Sequence, residues 1–537
     1  MIPGYSYIIN NISLSINASY QEAFSIASKR LFSAGVSLTD ASFALHKKSI
    51  DARKKNDIHI VYSVAVRLSH RIPDGVLKRL AGVKELENDE PEFLPAREEL
   101  GNIVVVGAGP CGLFCALALA ENGYKVTLLE RGDGIDARKA RVDRFIRERI
   151  LDPSSNIQFG AGGAGTFSDG KLVTRVNDPY CSYVLRRFCE FGAPAEISYL
   201  AKPHVGTDVL CGVVSSMLDR LCALGCDVRM NTTVLGFRSN HGTIDLVKTD
   251  KGDISCTHAV LAIGHSGRDT YKTLIGYGMD ISPKPISVGM RIEHPTELID
   301  KGLYGDYAGH PSLGHGEYNL SYDTKNRGVY TFCMCPGGEV VPAASELNGV
   351  CVNGMSRHAR DGANSNSAVV CSVFPEDYGA SASSAIDFQR RIENNAFLCG
   401  GGDYSAPIIT VGDFLSGAKN LKDPYEVIPT YMNGDGVRLC RPEEYLPELY
   451  TGAIANAIRD FDRKLPGFAL AGAILTGAET RTSAPLRINR NNDTRLASGY
   501  NNLYPCGEGA GYAGGITSAA IDGLRTARAV MEAINSN

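Results

Sequence analysis

The sequence predicts an α/β protein in which a parallel-sheet nucleotide domain is split along the chain by an α+β insertion and preceded by a small α+β module. Three observations carry this expectation. "VVVGAGPCGLFCALALAENGYKVTLLER" (104–131) reads as strand, glycine turn, helix and strand. "NNLYPCGEGAGYAGGITSAAIDGLRTARAV" (501–530) repeats strand, glycine turn and helix at the other end of the chain. The first 98 residues alternate and turn like a separate unit, closed by "KELENDEPEFLPAREELG" (84–101) with its two prolines and seven acidic side chains.

Taken in order, "SYIINNISLSI" alternates as a strand, "YQEAFSIASKRLF" has helical spacing and "DIHIVYSVAVRL" alternates again. These form the module of residues 1–98. From Ile103 the chain becomes a fully apolar strand followed by glycines, as a buried parallel strand does. A helix is expected over about 111–122, and "KVTLLE" ends at Glu130. "TDVLCGVVSSMLDRLCALGC" is amphipathic, with Thr207 as N-cap and Gly225 at its end. "DVRMNTTVLGF", "TIDLVKT" and "DISCTHAVLAIG" follow as short strands, a β-meander running into a buried strand. The expected division is 99–275 for the first part of the nucleotide domain, 276–480 mostly for a substrate domain, and 481–537 for the last part.

The chain has 537 residues, enough for roughly three domains. Its net charge of −4 is spread evenly, which argues against a nucleic-acid or acidic-lipid surface and for a small-molecule substrate. Fifteen cysteines occur without a secretory leader, so they read as reduced thiols of a cytoplasmic protein. The longest apolar runs are too short to span a membrane.

Gly107, Gly109 and Gly112 have G-x-G-x-x-G spacing: a tight turn, room for backbone to approach a pyrophosphate, and close packing of helix on strand. Pro110 and Cys111 open the helix, whose N-terminus offers N–H groups to the phosphates. Glu130, followed by Arg131, stands where a ribose would be bonded, and its charge opposes a ribose 2'-phosphate. The glycines alone fit NAD or FAD. The second glycine turn decides for FAD: after an apolar strand come Gly507 and Glu508, and then Gly514, Gly515 and Ile516 at a helix start. This resembles the second cofactor motif of flavoproteins of the glutathione reductase and hydroxybenzoate hydroxylase type, in which an acid holds the ribitol and the helix start faces the flavin. "HAVLAIGHSG" resembles their middle strand, with Gly264 at the turn.

The resemblance extends further. "FGAGGAGTFSDGKL" (159–172), "KPHVGTD" (202–208), "ISVGMRIEHP" (286–295), "CMCPGGEVVPAASE" (333–346), "RHARDGANSNSAVV" (357–370) and "LTGAETRTSAPLRI" (475–488) together resemble a family of FAD-dependent dehydrogenases of unassigned substrate. That likeness implies a Rossmann-like, three-layer FAD domain and places Gly162, Gly163 and Ala164 against the cofactor, with Ser168, Asp169 and Lys171 toward substrate.

Lys171, His204, His358 and Arg481 are the candidate catalytic residues. Arg357, Arg360, Arg481 and Arg487 form a candidate carboxylate or phosphate clamp. Cys333 and Cys335 share one face if their strand is regular, and the reading favoured is burial over a redox dithiol. Cys111, Cys115, Cys222, Cys226 and Cys506 read as packing. No metal site is expected, since no second cysteine pair completes a ligand set.

These features point to an FAD oxidoreductase, a dehydrogenase or reductase, exchanging a hydride between a small molecule and the flavin. NADH, NADPH or a protein serves as electron partner. The alternatives are a non-catalytic redox sensor or platform and a flavin monooxygenase, although "GHSGRD" lacks the Asp-Gly pair of aromatic hydroxylases. A tRNA-modifying flavoprotein would need a basic groove.

Overall fold

In the computed structural model the described residues are 5–86, 90–97, 101–161, 172, 178–421 and 426–536. The first sheet shows how alternation is kept across an irregularity. In strand Tyr5–Ser15, Tyr7 and Ile9 point inward, the register slips at Asn10-Asn11, and Ile12 and Leu14 resume the inward face. The sheet has four antiparallel strands, with His59–Leu68 between Ser42–Asp51 and the first strand, and Val83–Glu85 on the far edge. Helix Tyr20–Ser33 covers it, opened by a Ser19/Glu22 capping box. Ser42–Asp51 was not expected: it is a half-exposed, lysine-bearing edge strand. Val83–Glu85 corrects the linker, whose first residues pair with Tyr7–Ile9.

The second sheet is five parallel strands in the order Leu503–Pro505, His258–Leu261, Ile103–Val106, Val126–Leu129, Asp227–Arg229. Ile103 and Val105 pack with helices Pro110–Glu121 and Ile516–Asn535, while Val104 and Val106 pack with the antiparallel meander Val234–Asn240, Thr243–Thr249 and Ile254–Ser255. Helices, parallel sheet and meander are thus three layers, in a Rossmann-like arrangement. The strand nearest the C-terminus completes a sheet begun at Ile103.

Helix Thr207–Ala223 starts one residue earlier than expected. Gly206, at φ +85°, is the cap, and a Cβ there would stand 2.2 Å from the His358 nitrogen. Thr207 is the first helical residue and its hydroxyl donates to the Ser356 carbonyl at 3.4 Å.

The third sheet has seven strands, ordered Ser321–Asp323, Gly328–Cys335, Asn364–Val373, Ile286–Pro295, Ile474–Glu479, Ala406–Thr410, Val437–Leu439. Helices Ala382–Cys399 and Glu448–Lys464 pack with it in one apolar core. No helix of the described residues is long and apolar enough to cross a membrane.

Candidate active site

The glycine turn, the C-terminal turn and the seven-stranded sheet enclose a cavity of about 430 Å³. Of the residues expected at the cofactor, Gly107, Gly109, Pro110, Cys111, Glu130, Arg131, Gly264, Glu508, Gly514, Gly515 and Ile516 line it. Gly112 and Gly507 do not. A Cβ on Gly112 would lie 1.8 Å from the Gly107 carbonyl oxygen, so its bare backbone serves helix-to-turn packing. Gly507, at φ +73°, brings its N–H to Asp522 at 2.7 Å and packs against Cys111. Gly162, Gly163, Ala164, Ser168, Asp169 and Lys171 lie outside the described residues.

The wall fits a dinucleotide at three places. Among the described residues a Cβ on Gly109 would meet only the Gly160 Cα, at 3.9 Å, so none of them fills the space before this turn. Helix Ile516–Asn535 has no side-chain cap, and Gly514 faces open space, so its first N–H groups are available to a ligand. Glu130 is buried at the end of its strand. Its Oε1 accepts from the Gly132 N–H and Arg138 Nη2, both at 3.0 Å, and Oε2 accepts from the Ala108 N–H at 3.0 Å. Among the described residues this leaves Oε2 one acceptor position for a ribose hydroxyl. Arg131 is held over the Phe159 ring at 4.8 Å and paired with Asp269 at 2.8 Å.

Glu508 is half-buried, and burial pushes its carboxyl up to about 7 against the opposing pull of Lys284. His265, which sequence reasoning passed over, lines the cavity beside Gly264. Burial first, and then the charges of Arg481 and Arg268, press its pKa down to about 3, so the ring is neutral. Its Nδ1 lies 2.9 Å from Ser266 Oγ. Adjacency to Gly264 was the available signal.

Arg481 alone of the four clamp arginines reaches the cavity. Its Nε and Nη2 donate to Glu393 at 3.0 and 2.8 Å, and its Nη1 to Ser266 and Ser345. Arg268 grips the same carboxylate with both terminal nitrogens, at 2.8 Å each. Arg357 and Arg487 are exposed, and Arg360 pairs with Glu317 at 2.9 Å. His204 and His358 are not at the cavity either. His204 Nε2 bonds the Arg357 carbonyl and His358 Nδ1 the Val205 carbonyl, both at 3.0 Å, holding two chain segments together.

On the facing side stand Glu317, Thr331, Cys333, Asn353 and Glu479. Glu479 is bound by Arg291 through Nε at 3.0 Å and Nη2 at 3.1 Å. Cys333 and Cys335 do not share a strand face. The register shifts between Phe332 and Cys335, and Cys333 sits at φ +47° on the cavity wall while Cys335 is buried.

Asp522 ties the second glycine turn to its helix. Its Oδ2 accepts from the Gly507 N–H, and its carboxylate pairs with Arg490 and Arg495, at 2.7 Å each. Burial would raise its pKa, but the arginines outweigh that and hold it at about 2, below the ordinary 3.8. A depressed carboxyl stabilises the fold above its unfolded value and loses that contribution as pH falls through the folded one. Asp522→Asn is expected to lower the unfolding free energy by about 2 kcal/mol at neutral pH. In denaturant titrations the gap between variant and parent should close between pH 4 and 2; a gap unchanged down to pH 2 would refute the ion-pair account.

Fold and cavity define a class: Rossmann-like dinucleotide-binding proteins, here with a cavity between a parallel and an antiparallel sheet. Residues 105–159 match the NAD(P)-binding Rossmann-like domain family, residues 285–482 the family described as FAD-dependent protein, C-terminal domain-like, and residues 7–67 a domain of unknown function. An uncharacterized protein of Clostridium beijerinckii is 44% identical over 98% of both chains. Rifampicin monooxygenase of Streptomyces venezuelae is 25% identical over 34% of this chain and 36% of its own. L-amino acid deaminase from Proteus vulgaris, 12% identical, aligns over 82% of this chain and 92% of its own with a TM-score of 0.35. The chain belongs to one family with the Clostridium beijerinckii protein; its matched domains mark it as an FAD-dependent oxidoreductase, and its cofactor is FAD.

Proposed function

We propose that this FAD-dependent oxidoreductase is a dehydrogenase or reductase acting on a small molecule that enters between the glycine turn and the seven-stranded sheet. The observation that carries this reading is one continuous cavity with Gly109, Glu508 and Gly514 on one wall and Glu317, Cys333 and Glu479 on the other. Bound FAD supplies the hydride acceptor or donor. The chain's own residues bind and orient. Gly109 and the N-terminus of helix Pro110–Glu121 hold the pyrophosphate, Glu130 the ribose and Glu508 the ribitol. The N–H groups of Gly515 and Ile516, at the uncapped start of their helix, would hold the flavin ring and favour negative charge there. His265, neutral and fixed by Ser266, is a hydrogen-bonding group rather than a charge. Arg481 presents a guanidinium already bonded to Glu393, so it orients a polar substrate group more than it neutralises one. We divide the chain as 1–98, 99–275, 276–480 and 481–537, with the third part providing the substrate wall.

The test is an absorption spectrum of the FAD-loaded protein, followed anaerobically with NADH and then NADPH. Bleaching by one donor is the expected result and identifies a reductase; bleaching only by a small-molecule substrate identifies a dehydrogenase. The partial likeness to rifampicin monooxygenase favours a second reading, hydroxylation. NADPH oxidation coupled stoichiometrically to oxygen uptake and a hydroxylated product would replace the first reading with that one. A flavin that no donor reduces would overturn both.

A further inference from the structure

Away from the cavity, the chain brings together three side chains that the proposed reaction does not use. Cys399 is the last residue of helix Ala382–Cys399, Cys440 follows strand Val437–Leu439, and Glu444 ends the short turn Pro442–Glu444. Their two sulfurs and a carboxylate oxygen all lie within 4.8 Å of one another. The Cys440 thiol is in hydrogen-bond contact with both the Cys399 thiol and the Glu444 carboxylate. The Cys440 N–H is anchored to the Ile408 carbonyl at 3.0 Å, so its sulfur is carried on a fixed strand end. None of the three lines the flavin cavity.

We propose that Cys399, Cys440 and Glu444 form a binding site for a thiophilic divalent cation, zinc above all, with water as the fourth ligand. Zinc takes sulfur at about 2.3 Å and carboxylate oxygen at about 2.1 Å, which in a tetrahedron separates ligand atoms by roughly 3.5 to 3.8 Å. The observed spread contains those separations, so closing on an ion needs side-chain adjustment and no backbone rearrangement. The burial is graded: Cys440 buried, Cys399 intermediate, Glu444 exposed. An ion therefore has a path in and an open position facing solvent. On binding, each thiol releases its proton to water and two S–metal bonds form, with no change in oxidation state. The ion would tie the end of a substrate-domain helix to the outermost strand of the sheet. The sequence offered no metal signature because the ligands are drawn from three separate elements rather than from a local cysteine pair.

The experiment uses the full-length, FAD-loaded, thiol-reduced protein with Co²⁺ as probe. Thiolate-bound tetrahedral cobalt absorbs to the red of flavin, so the two spectra separate. One equivalent of Co²⁺ is expected to bind and to be displaced by Zn²⁺, with the red bands lost in both Cys399→Ser and Cys440→Ser. Affinity should fall at least tenfold in Glu444→Ala, whose exposed position spares folding, and FAD content serves as the folding control for all three. Absence of the bands in the reduced parent protein would overturn the site, whether or not the two cysteines prove to be disulfide-linked before reduction. So would their persistence in Cys399→Ser.

Discussion

Gly109→Val is expected to fold normally and to emerge without FAD. Its backbone, at φ −76° and ψ −179°, is extended and open to any residue, so valine meets no conformational penalty. Among the described residues a Cβ there would approach only the Gly160 Cα, at 3.9 Å, and the branched side chain would project into the space before the turn. That is the space a pyrophosphate needs if it is to reach the N–H groups at the start of helix Pro110–Glu121. The FAD dissociation constant should rise by at least ~100-fold, about 2.7 kcal/mol. Flavin titration of the apoprotein reads the loss, and thermal unfolding of the same apoprotein should be nearly unchanged. Gly112→Ala gives the contrast. Its Cβ would fall 1.8 Å from the Gly107 carbonyl oxygen, so that substitution damages the apoprotein itself. Stoichiometric flavin in Gly109→Val would sink the assignment of the pyrophosphate to this turn.

The nucleotide half of the molecule was legible because its signals are local. Ile103 to Val106, the glycines behind them and Glu130 lie within one βαβ unit, where strand burial, turn and helix are dictated by residues a few positions apart. The alternation of Ile103 and Val105 against Val104 and Val106 between two cores is the three-layer arrangement written in four residues. Strand Ser42–Asp51 was not legible, because its charged, half-exposed residues resemble a loop until an inner strand pairs with them. Cys333 was misplaced for a related reason. A two-residue period assumes a regular strand, and one bulge redirects the side chain from the expected face to the cavity.

The polar part of the site was least visible. Glu130 drew attention as a ribose acceptor, yet two of its three donors are the backbone N–H groups of Ala108 and Gly132, which no spacing rule anticipates. Arg481 was picked from a polar motif, while its partner Glu393 lies 88 residues away and Arg268 lies 125 residues from that partner. Neither separation has a periodicity. Such pairs form because burying a guanidinium demands a carboxylate from wherever the fold supplies one.

Glu393 is for that reason the position where a single substitution should cost most. Its carboxylate is buried and accepts from Arg268, Arg481 and the Thr480 hydroxyl. Burial opposes its ionisation, but the two guanidiniums outweigh burial and hold its pKa far below the usual carboxylate range. Glu393→Ala removes the shared counter-charge, leaving Arg268 with Glu346 alone, at 2.6 Å, and Arg481 in the interior without a carboxylate partner among the described residues. Breaking such a buried pair costs about 3–5 kcal/mol, chiefly through the charge left behind. Denaturant unfolding should show a loss of that size. Glu393→Gln, which keeps acceptor capacity but not charge, should fall between the variant and the parent. The origin of the loss can be isolated by adding Arg268→Met to Glu393→Ala. If stranded charge is the cause, the double variant is more stable than Glu393→Ala alone, a coupling of opposite sign to simple additivity. A double variant that loses the sum of both single effects would show instead that packing around helix Ala382–Cys399, not the ion triad, holds Arg481 at the cavity wall.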